Sequence, residues 1–370
     1  MSKNVKVTVN KIDSVIDIRN EVVFTYGDAG YCDVYSEGAV DFTVKVINHP
    51  EAVININKNG IVKVSALNAG TYIMEVTTNP DTNHNSVTGR VNVTVNKADS
   101  KIIIPDIIFD YGNSGSVNIL VYNATGIGNV NVVGHPEAIT TINGTKISVG
   151  GLNAGSYILT ATALTGDNYN PVNVSANVIV NKLTTIIGVK KVNGVYGSSG
   201  KLIVTLKDSN GNLLTGKLLR VKVGSISKTL TTNRHGQVSV NVAYLIPKSY
   251  NAKISFAGDN DLVESSNTAK VVIKKATPKL TAKTLKTKVK TKNKKLKITL
   301  KNKKGKALKN TKVTLKLKGK TYKAKTNKKG IATFKITKLN KRGTFKGTVK
   351  FAGNKYFKAI NKKVKVIVKK

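Results

Sequence analysis

The segment Leu67-Asn-Ala-Gly-Thr-Tyr72 decides the fold, because it returns along the chain at a nearly constant distance. It recurs as Leu152-Asn-Ala-Gly-Ser-Tyr157, as Leu245-Ile-Pro-Lys-Ser-Tyr250 and, more loosely, as Leu339-Asn-Lys-Arg-Gly-Thr-Phe345. Self-similarity at a fixed period is the signature of a repeat architecture. The 370 residues are therefore predicted to form tandem copies of one folding unit.

A second series marks where each copy ends. Strand-like segments close with the doublets Asn10-Lys11, Asn96-Lys97, Asn181-Lys182, Lys274-Lys275 and Lys369-Lys370, in steps of 86, 85, 93 and 95 residues. The pairs Tyr26-Gly27, Tyr111-Gly112 and Tyr196-Gly197 recur in the first three copies. These markers define repeat 1 as residues 12–97, repeat 2 as 98–182, repeat 3 as 183–275 and repeat 4 as 276–370.

Residues 1–11 alternate apolar and polar side chains and end in the same doublet as the repeats. This pattern predicts a strand that closes a missing upstream repeat, so that the chain starts inside a longer array. A signal peptide would then lie on the missing part. The alternative is that Met1 is the true start and that residues 5–9 pair with the next repeat.

Composition and local pattern both favour strands. The 40% of apolar residues suffices to fill cores, and usage is skewed towards the β-branched types Val, Ile and Thr. Runs of period two, such as 61–64 and 296–298, are separated by turn pairs such as Asn59-Gly60. About seven short strands in each repeat is the content of an immunoglobulin-like sandwich. Because the joints between repeats are short, we expect an all-β chain of tandem immunoglobulin-like β-sandwiches arranged as an elongated rod.

The opening motif resembles the tyrosine corner of immunoglobulin-like domains, in which a Tyr at the start of a late strand hydrogen-bonds a backbone group just upstream. The resemblance implies this structural role for Tyr72, Tyr157 and Tyr250. Phe345 has no hydroxyl, so repeat 4 is expected to keep only the packing. Two residues after the tyrosine, where antibody domains have Cys, Met74 and Leu159 are expected to fill the space of a disulfide.

No constellation of residues predicts catalysis or a cofactor. The four histidines are scattered, and none has a second His or a Cys at metal-ligand spacing. There is no Gly-rich phosphate loop, nucleophile elbow or spaced carboxylate pair. Cys32 is the single cysteine, so no intramolecular disulfide is expected. No run of 18 apolar residues predicts a transmembrane helix.

Acidic residues in loops are weak candidates for calcium binding. They are Asp81, Asp167, Asp208, Asp259 and Asp261. Calcium prefers six to eight oxygen ligands, and each of these loops supplies only one or two carboxylates. Asp and Asn side chains also hydrogen-bond their own backbone in tight turns. We therefore favour turns over calcium and assign no metal site.

Repeat 4 differs from the others in charge. Residues 276–370 contain 35 Lys and Arg and no Asp or Glu, and the chain as a whole has a formal net charge of +42. The uneven distribution of charge along the chain is therefore assigned to this repeat. Alternation, as in residues 312–318, sends apolar side chains inward and lysines to solvent. So many like charges raise the affinity for a polyanion. The candidate polyanion-binding residues are Lys303, Lys304, Lys306, Lys316, Lys318, Lys320, Lys328 and Lys329.

The predicted partner of repeat 4 is an anionic cell-wall polymer. A glycan or protein on a host or neighbouring cell is the partner expected for the array. Nucleic acid is the alternative, since lysine neutralises phosphate without reading sequence. Against it, Arg342 is the one arginine of the repeat, and the aromatic residues mostly fall at expected core positions. A membrane surface ranks third, and a general solubilising role of the charge is the remaining interpretation.

The Tyr-Gly pairs, the Leu-Asn-Ala-Gly-Ser/Thr-Tyr motif, the loops Phe256-Ala-Gly-Asp-Asn and Phe351-Ala-Gly-Asn-Lys-Tyr, and the Lys-rich last repeat together resemble the bacterial-type immunoglobulin-like (Big) repeats of methanogen adhesin-like surface proteins. The resemblance covers residues 12–370. It implies export, display on an archaeal cell surface or cell wall, and adhesion by a non-enzymatic, monomeric rod. It supplies no catalytic residues.

Overall fold

The computed structural model describes residues 1–337 and 339–370. These residues form 37 β-strands and no helix. The predicted all-β class is confirmed, and its cause is the alternation of apolar and polar side chains along most segments. The chain divides into two compact units, Met1–Lys182 (unit 1) and Leu183–Lys370 (unit 2).

Residues 1–11 form no strand and do not pair with repeat 1, so the alternative pairing of residues 5–9 is not formed, while the role as a closing strand stays a prediction. The side chains of Val5, Val7 and Val9 are exposed to 83%, 79% and 88%. A strand requires a hydrogen-bonding neighbour, and the first paired residues are those of Ile12–Asp13. The alternating pattern therefore has no partner strand among the described residues.

Repeat 1 folds into two packed sheets. Its strands are β1 (Ile12–Asp13), β2 (Val15–Ile18), β3 (Val22–Thr25), β4 (Ala29–Glu37), β5 (Phe42–Val46), β6 (Val53–Ile56), β7 (Ile61–Ser65), β8 (Gly70–Thr78), β9 (His84–Asn85) and β10 (Thr88–Asn96). One sheet has the order β2-β4-β7-β6, the other β3-β10-β8-β5, and β1 pairs with β9. The core between the sheets contains Val22, Val62, Met74 and Val93, all fully buried.

Repeat 2 has the same plan. Its strands are β11 (Ala98–Asp99), β12 (Lys101–Ile103), β13 (Ile107–Asp110), β14 (Ser114–Asn118), β15 (Leu120–Tyr122), β16 (Gly126–Val132), β17 (Ile139–Asn143), β18 (Lys146–Gly150), β19 (Gly155–Leu164), β20 (Tyr169–Asn170) and β21 (Asn173–Asn181). The larger sheets are β13-β21-β19-β16 and β14-β18-β17, with the pairs β12-β15 and β11-β20 beside them. Ile107, Ile147, Leu159 and Val178 are fully buried in its core.

Repeat 3 begins unit 2 and places one strand differently. Its strands are β22 (Thr185–Val189), β23 (Val192–Val195), β24 (Lys201–Asp208), β25 (Leu218–Val223), β26 (Ile226–Thr231), β27 (Gln237–Asn241), β28 (Ser249–Phe256) and β29 (Ser265–Lys274). The sheets are β22-β24-β27 and β23-β29-β28-β25-β26. The strand placed differently is β26, which forms a tight hairpin with β25 and so joins the five-stranded sheet. In repeat 1 the corresponding strand β6 joins the other sheet, beside β7.

Repeat 4 follows the plan of repeat 3. Its strands are β30 (Lys279–Ala282), β31 (Leu285–Lys288), β32 (Lys294–Lys301), β33 (Lys312–Leu317), β34 (Lys320–Lys325), β35 (Ile331–Ile336), β36 (Gly343–Phe351) and β37 (Ile360–Lys369). The sheets are β30-β32-β35 and β31-β37-β36-β33-β34. Leu300, Leu315, Ala332, Val349 and Val366 are fully buried between them.

The topology of each repeat is immunoglobulin-like. A short early strand of each repeat runs parallel to the last strand, as β3 does with β10 and β31 with β37, while the other pairs of the large sheets are antiparallel. In repeat 1 the sheets match the four-stranded and three-stranded sheets of an immunoglobulin constant-type domain, with β3 added at an edge. Among the described residues, no strand pairs with a strand of another repeat.

Neighbouring repeats within each unit touch through side chains. In unit 1 the Asn168 amide donates to the Asn68 side-chain oxygen at 3.0 Å, and the Ala69 N–H donates to the Asn168 side-chain oxygen at 2.8 Å. In unit 2 the ring of Tyr196 stacks on that of Tyr356, with centroids 4.6 Å apart. The rings of Tyr26 and Tyr169 also meet edge to face across the joint of unit 1, with centroids 5.4 Å apart. Both joints therefore contain an aromatic contact, and that of unit 1 adds amide hydrogen bonds.

Candidate polyanion-binding surface

Lysines cover the outer face of the five-stranded sheet of repeat 4. Every second residue of its strands points away from the core, because side chains alternate along a strand. The exposed lysines of this face are Lys286, Lys288, Lys312, Lys316, Lys323, Lys325, Lys346, Lys350, Lys363, Lys365 and Lys369. Directly beneath them Leu315, Val349 and Val366 are fully buried. The same alternation thus builds the core and displays the charge.

Four lysines of this face and Lys318 of the turn between β33 and β34 line an open trough of about 600 Å³ together with Gly347 and Thr348. The lysines are Lys316, Lys318, Lys346, Lys363 and Lys365. In the register of the sheet, Thr348 on β36 lies opposite Lys316 on one side and opposite Lys363 on the other. Adjacent strands are about 4.8 Å apart, so the two lysines flank the threonine closely.

The same three positions are occupied differently in repeat 1. Glu75 lies three residues after Tyr72, as Thr348 lies three residues after Phe345, and it is opposite Lys45 and Arg90. The Lys45 ammonium and the Arg90 guanidinium each contact the Glu75 carboxylate at 2.9 Å. Hydrogen bonds from Lys45 and then Arg90 hold the pKa of the Glu75 carboxyl below its usual value. Repeat 1 therefore neutralises its own cations at this place.

Repeat 4 instead sets lysines directly opposite one another. Five cross-strand pairs consist of two lysines: Lys279 with Lys301, Lys288 with Lys369, Lys295 with Lys335, Lys312 with Lys325, and Lys346 with Lys365. Like charges at opposed positions destabilise a sheet by roughly 0.2–1 kcal/mol per pair. Because residues 276–370 contain no Asp or Glu, side-chain carboxylates for these lysines must come from outside the repeat.

One lysine of repeat 4 is buried. The side chain of Lys294 is only 2% exposed, and its ammonium donates to the carbonyl oxygens of Val289 and Thr291 at 3.1 and 2.6 Å. Buried charges require such hydrogen bonds. The sequence pattern predicts this lysine to be exposed like the others, so its structural role was missed.

The eight predicted lysines do not form one patch. Lys316 and Lys318 line the trough, and Lys320 starts β34. Lys303 and Lys304 lie beside Lys358 in a depression of about 210 Å³ at the joint of repeats 3 and 4. Lys306, Lys328 and Lys329 belong to turns capped by Asn302 and Asn327, whose side-chain oxygens accept the backbone N–H groups of Lys306 and Lys329.

Three trough residues were absent from the sequence prediction. Lys346, Lys363 and Lys365 stand on strands that are distant in sequence from Lys316. Counting charges favours dense local runs such as the turn lysines, whereas the trough is assembled by strand pairing. Aligning the repeats at the position three residues after the corner aromatic could have pointed to the trough. This position is Glu75 in repeat 1 and Thr348 in repeat 4.

The excess of positive charge is not confined to repeat 4, which corrects the sequence analysis. Repeat 3 contains 14 Lys and Arg against 4 Asp and Glu, whereas unit 1 contains 12 against 15. On the five-stranded sheet of repeat 3, Arg220, Lys222 and Lys253 line a depression of about 750 Å³. The formal charge is therefore −3 for unit 1 and +45 for unit 2.

The tyrosines of the repeated motif make the hydrogen bonds of a tyrosine corner. The hydroxyls of Tyr72, Tyr157 and Tyr250 donate to the backbone carbonyls four residues upstream, at 2.8, 2.8 and 2.6 Å. Two residues later in the chain, Met74 and Leu159 are fully buried. These side chains occupy the space between the sheets.

The acidic loop residues act as turn acceptors. The Asp81 carboxylate accepts the backbone N–H groups of Asn83 and His84 at 2.6 Å each, and Asp208 accepts the N–H of Asn212 at 2.8 Å. Asp167 is exposed. Across residues 1–337 and 339–370, no group of three His, Cys, Asp or Glu side chains is placed to hold a metal ion.

Asp259 shows the same turn geometry with an added ion pair. Its carboxylate accepts the N–H groups of Asp261 and Leu262 at 3.0 and 2.9 Å and contacts the Lys217 ammonium at 2.6 Å. Burial acts to raise the pKa of this carboxyl, but Lys217 and the two N–H groups outweigh it, so the pKa lies below its usual value. A cation already occupies one side of this carboxylate.

Cys32 is the one thiol of the chain, and it faces the core of repeat 1 with 2% exposure. Burial, with a contribution from the charge of Asp33, raises the pKa of the thiol to about 11. A thiolate is the reactive form of cysteine, and at neutral pH this group is protonated. Cys32 therefore serves as a small apolar side chain.

No family model and no curated protein matches this chain. Among solved structures, 422 chains match. They include a Ca²⁺-stabilised adhesin that helps an Antarctic bacterium reach out and bind ice (14% identity, 98% of this chain and 100% of that one, TM-score 0.31). Sidekick-1 immunoglobulin domains 1–5 match at 12% identity over 96% of this chain and 81% of that one, with a TM-score of 0.31.

The titin tandem I9–I11 matches at 10% identity over 71% of this chain and 100% of that one, with a TM-score of 0.25. Because these TM-scores lie below 0.5, the assignment of the fold rests on the sheets described above.

In the described part of the chain, no helix has the length and apolar character needed to cross a membrane.

Proposed function

We propose that this chain is a non-enzymatic, adhesin-like protein of the cell surface. In this proposal repeats 1–3 act as a stalk, and repeat 4 docks electrostatically on an anionic polymer of the cell wall. The observation that carries the proposal is the outer face of the five-stranded sheet of repeat 4, where 11 exposed lysines stand over an apolar core. The proposal includes an extracellular location, at a cell surface or cell wall.

The chemistry of the face supports a polymer rather than a single small ion. Lysine ammonium groups are flexible donors that meet phosphate or carboxylate as point charges. Their distribution over five strands offers many weak contacts, and each lysine held near an anionic surface contributes about 1 kcal/mol. An extended anionic chain can use many of these contacts at once.

Sedimentation of the full chain with isolated cell walls tests the proposal. The triple substitution Lys312→Gln, Lys323→Gln and Lys350→Gln should weaken retention by about tenfold or more, because three charges near the polymer are removed. The matched control is Lys58→Gln, Lys101→Gln and Lys146→Gln, which removes the same charge from exposed sites of unit 1. Retention that is lost equally in both variants contradicts a docking role for repeat 4.

Nucleic acid remains the second candidate, because the charge of unit 2 serves phosphate of any origin. The two candidates separate in a competition experiment. Wall retention that survives an excess of double-stranded DNA supports docking on the wall. Salt-sensitive binding to DNA without any retention on walls would replace the proposed function by nucleic-acid binding.

A further inference from the structure

The ion triad of repeat 1 shows which kind of group fits between two cations on this sheet. Lys45 on β5 and Arg90 on β10 converge on the Glu75 carboxylate of the middle strand β8, with both nitrogen–oxygen distances at 2.9 Å. The Glu75 side chain is only 12% exposed, whereas the two basic side chains are 70% and 64% exposed. One oxyanion is thus enclosed by cations from two flanking strands.

Repeat 4 keeps the flanking cations at the aligned positions and lacks the anion. Lys316 on β33 and Lys363 on β37 stand opposite Thr348 on the middle strand β36. The neighbouring row pairs Lys346 with Lys365 directly. A hydroxyl on the middle strand can donate one hydrogen bond but carries no charge.

We propose that the trough of repeat 4 binds the oxyanions of the wall polymer. One carboxylate or phosphate group lies between Lys316 and Lys363, where the hydroxyl of Thr348 donates to it, and a following group lies beside Lys346 and Lys365. The proposal rests on the proposed function, because it names the site at which repeat 4 holds the polymer. The bound oxyanion takes the place that the Glu75 carboxylate has in repeat 1.

The spacing of the sheet suits a chain with regularly placed charges. Outward-facing residues of one strand are about 7 Å apart, so the two rows of lysines meet anionic groups at about that interval. Hydrogen bonds between an ammonium and an oxyanion are about twice as strong as those between neutral groups. Binding also relieves the repulsion between opposed lysines, which adds to the affinity.

The substitution Thr348→Glu in the full chain tests the site. It installs an internal carboxylate between Lys316 and Lys363, and this group competes with the polymer for both cations. The affinity for polygalacturonate, which carries carboxylates, and for polyphosphate should each fall roughly tenfold, because a charge-assisted contact is lost. The thermal unfolding temperature should stay the same or rise, which shows that weaker binding does not come from misfolding.

Thr344→Glu is the matched control. Thr344 lies on the same strand and is exposed on the same face, but it is opposite Ile367 and outside the trough. It makes the same change in net charge, so its effect on affinity should be several-fold smaller. Lys316→Gln combined with Lys363→Gln provides a second variant, which should weaken binding to both probes without lowering the unfolding temperature.

The outcomes separate the inference from the proposed function. If the wild-type chain binds cell walls but Thr348→Glu and Thr344→Glu bind the probes equally well, the trough is not the site and wall docking stands. If the wild-type chain is not retained on walls, the proposed function fails first. The preferred probe identifies carboxylate or phosphate as the anion. Tighter binding of single-stranded DNA than of both polymers would overturn the assignment to a wall polymer.

Discussion

Units 1 and 2 are built from the same kind of sandwich, but they differ in the sheet that one strand joins and in their formal charge. In unit 1 the strands β6 and β17 pair with β7 and β18, whereas in unit 2 the corresponding strands β26 and β34 pair with β25 and β33 on the opposite sheet. Unit 1 has a formal charge of −3 and unit 2 of +45. The comparison teaches that the core and the surface of this fold vary independently.

The aligned position on the late strand makes the difference concrete. Two residues after the corner aromatic, unit 1 has Met74 and Leu159, while unit 2 has Ala252 and Gly347. Three residues after it, Glu75 of unit 1 binds two cations, and Thr348 of unit 2 stands between two lysines. Between the units, the inward residue of this strand thus differs in side-chain volume and the outward residue in charge. The strands on either side of it keep the same order.

The largest expected effect is a loss of stability at the buried position two residues after the corner aromatic. Leu159→Ala removes a fully buried side chain that fills the core of repeat 2. We expect repeat 2 to lose about 2–5 kcal/mol of unfolding free energy, because the cavity is only partly refilled. Hydrogen exchange of peptides from repeat 2, followed across a urea series, measures this loss.

Ile158→Ala is the control for that substitution, because Ile158 is on the same strand but 46% exposed. Its effect should be much smaller. An equally small effect of Leu159→Ala would mean that unit 1 needs no large side chain at this position, as unit 2 does not with Ala252, and the contrast in core packing between the units would fall.

The second-largest expected effect concerns the different surface charge of the two units. Raising NaCl from about 20 mM to about 500 mM should stabilise unit 2 by on the order of 1–3 kcal/mol, because screening weakens the repulsion of opposed lysines. Unit 1 contains the Glu75 triad and little net charge, so its stability should change little or fall slightly. Peptide-resolved hydrogen exchange of the full chain reports both units in one sample, and equal responses of the two would contradict the charge contrast.

The smallest effect concerns the tyrosine corner, which repeat 4 lacks. Tyr157→Phe removes the hydroxyl that donates to the Asn153 carbonyl at 2.8 Å. We expect a loss of about 0.5–1.5 kcal/mol in repeat 2, the usual net value of one hydrogen bond. Urea unfolding measures it, with Tyr122→Phe, at a residue 49% exposed, as the control. No loss would show that Phe345 serves its repeat as well as a tyrosine does.

Much of the fold could be predicted from local pattern. The period of the Leu67–Tyr72 motif and the closing doublets define the repeats, and two-residue alternation predicts the strands. The role of residues 1–11 as a closing strand stays a prediction, because alternation marks a segment able to pair and the described residues include no partner strand for it. The same limit explains why turn lysines such as Lys328 were favoured over Lys363.

The sequence by itself determined the all-β class, the repeat period and the excess of lysine, because these follow from side-chain type and spacing along one segment. Only the tertiary structure decided which sheet receives β26 and β34, which lysine is buried at residue 294, and which cations flank Thr348. The physical reason is that alternation assigns a side chain to a face, whereas its neighbours across the sheet depend on the pairing of strands distant in sequence.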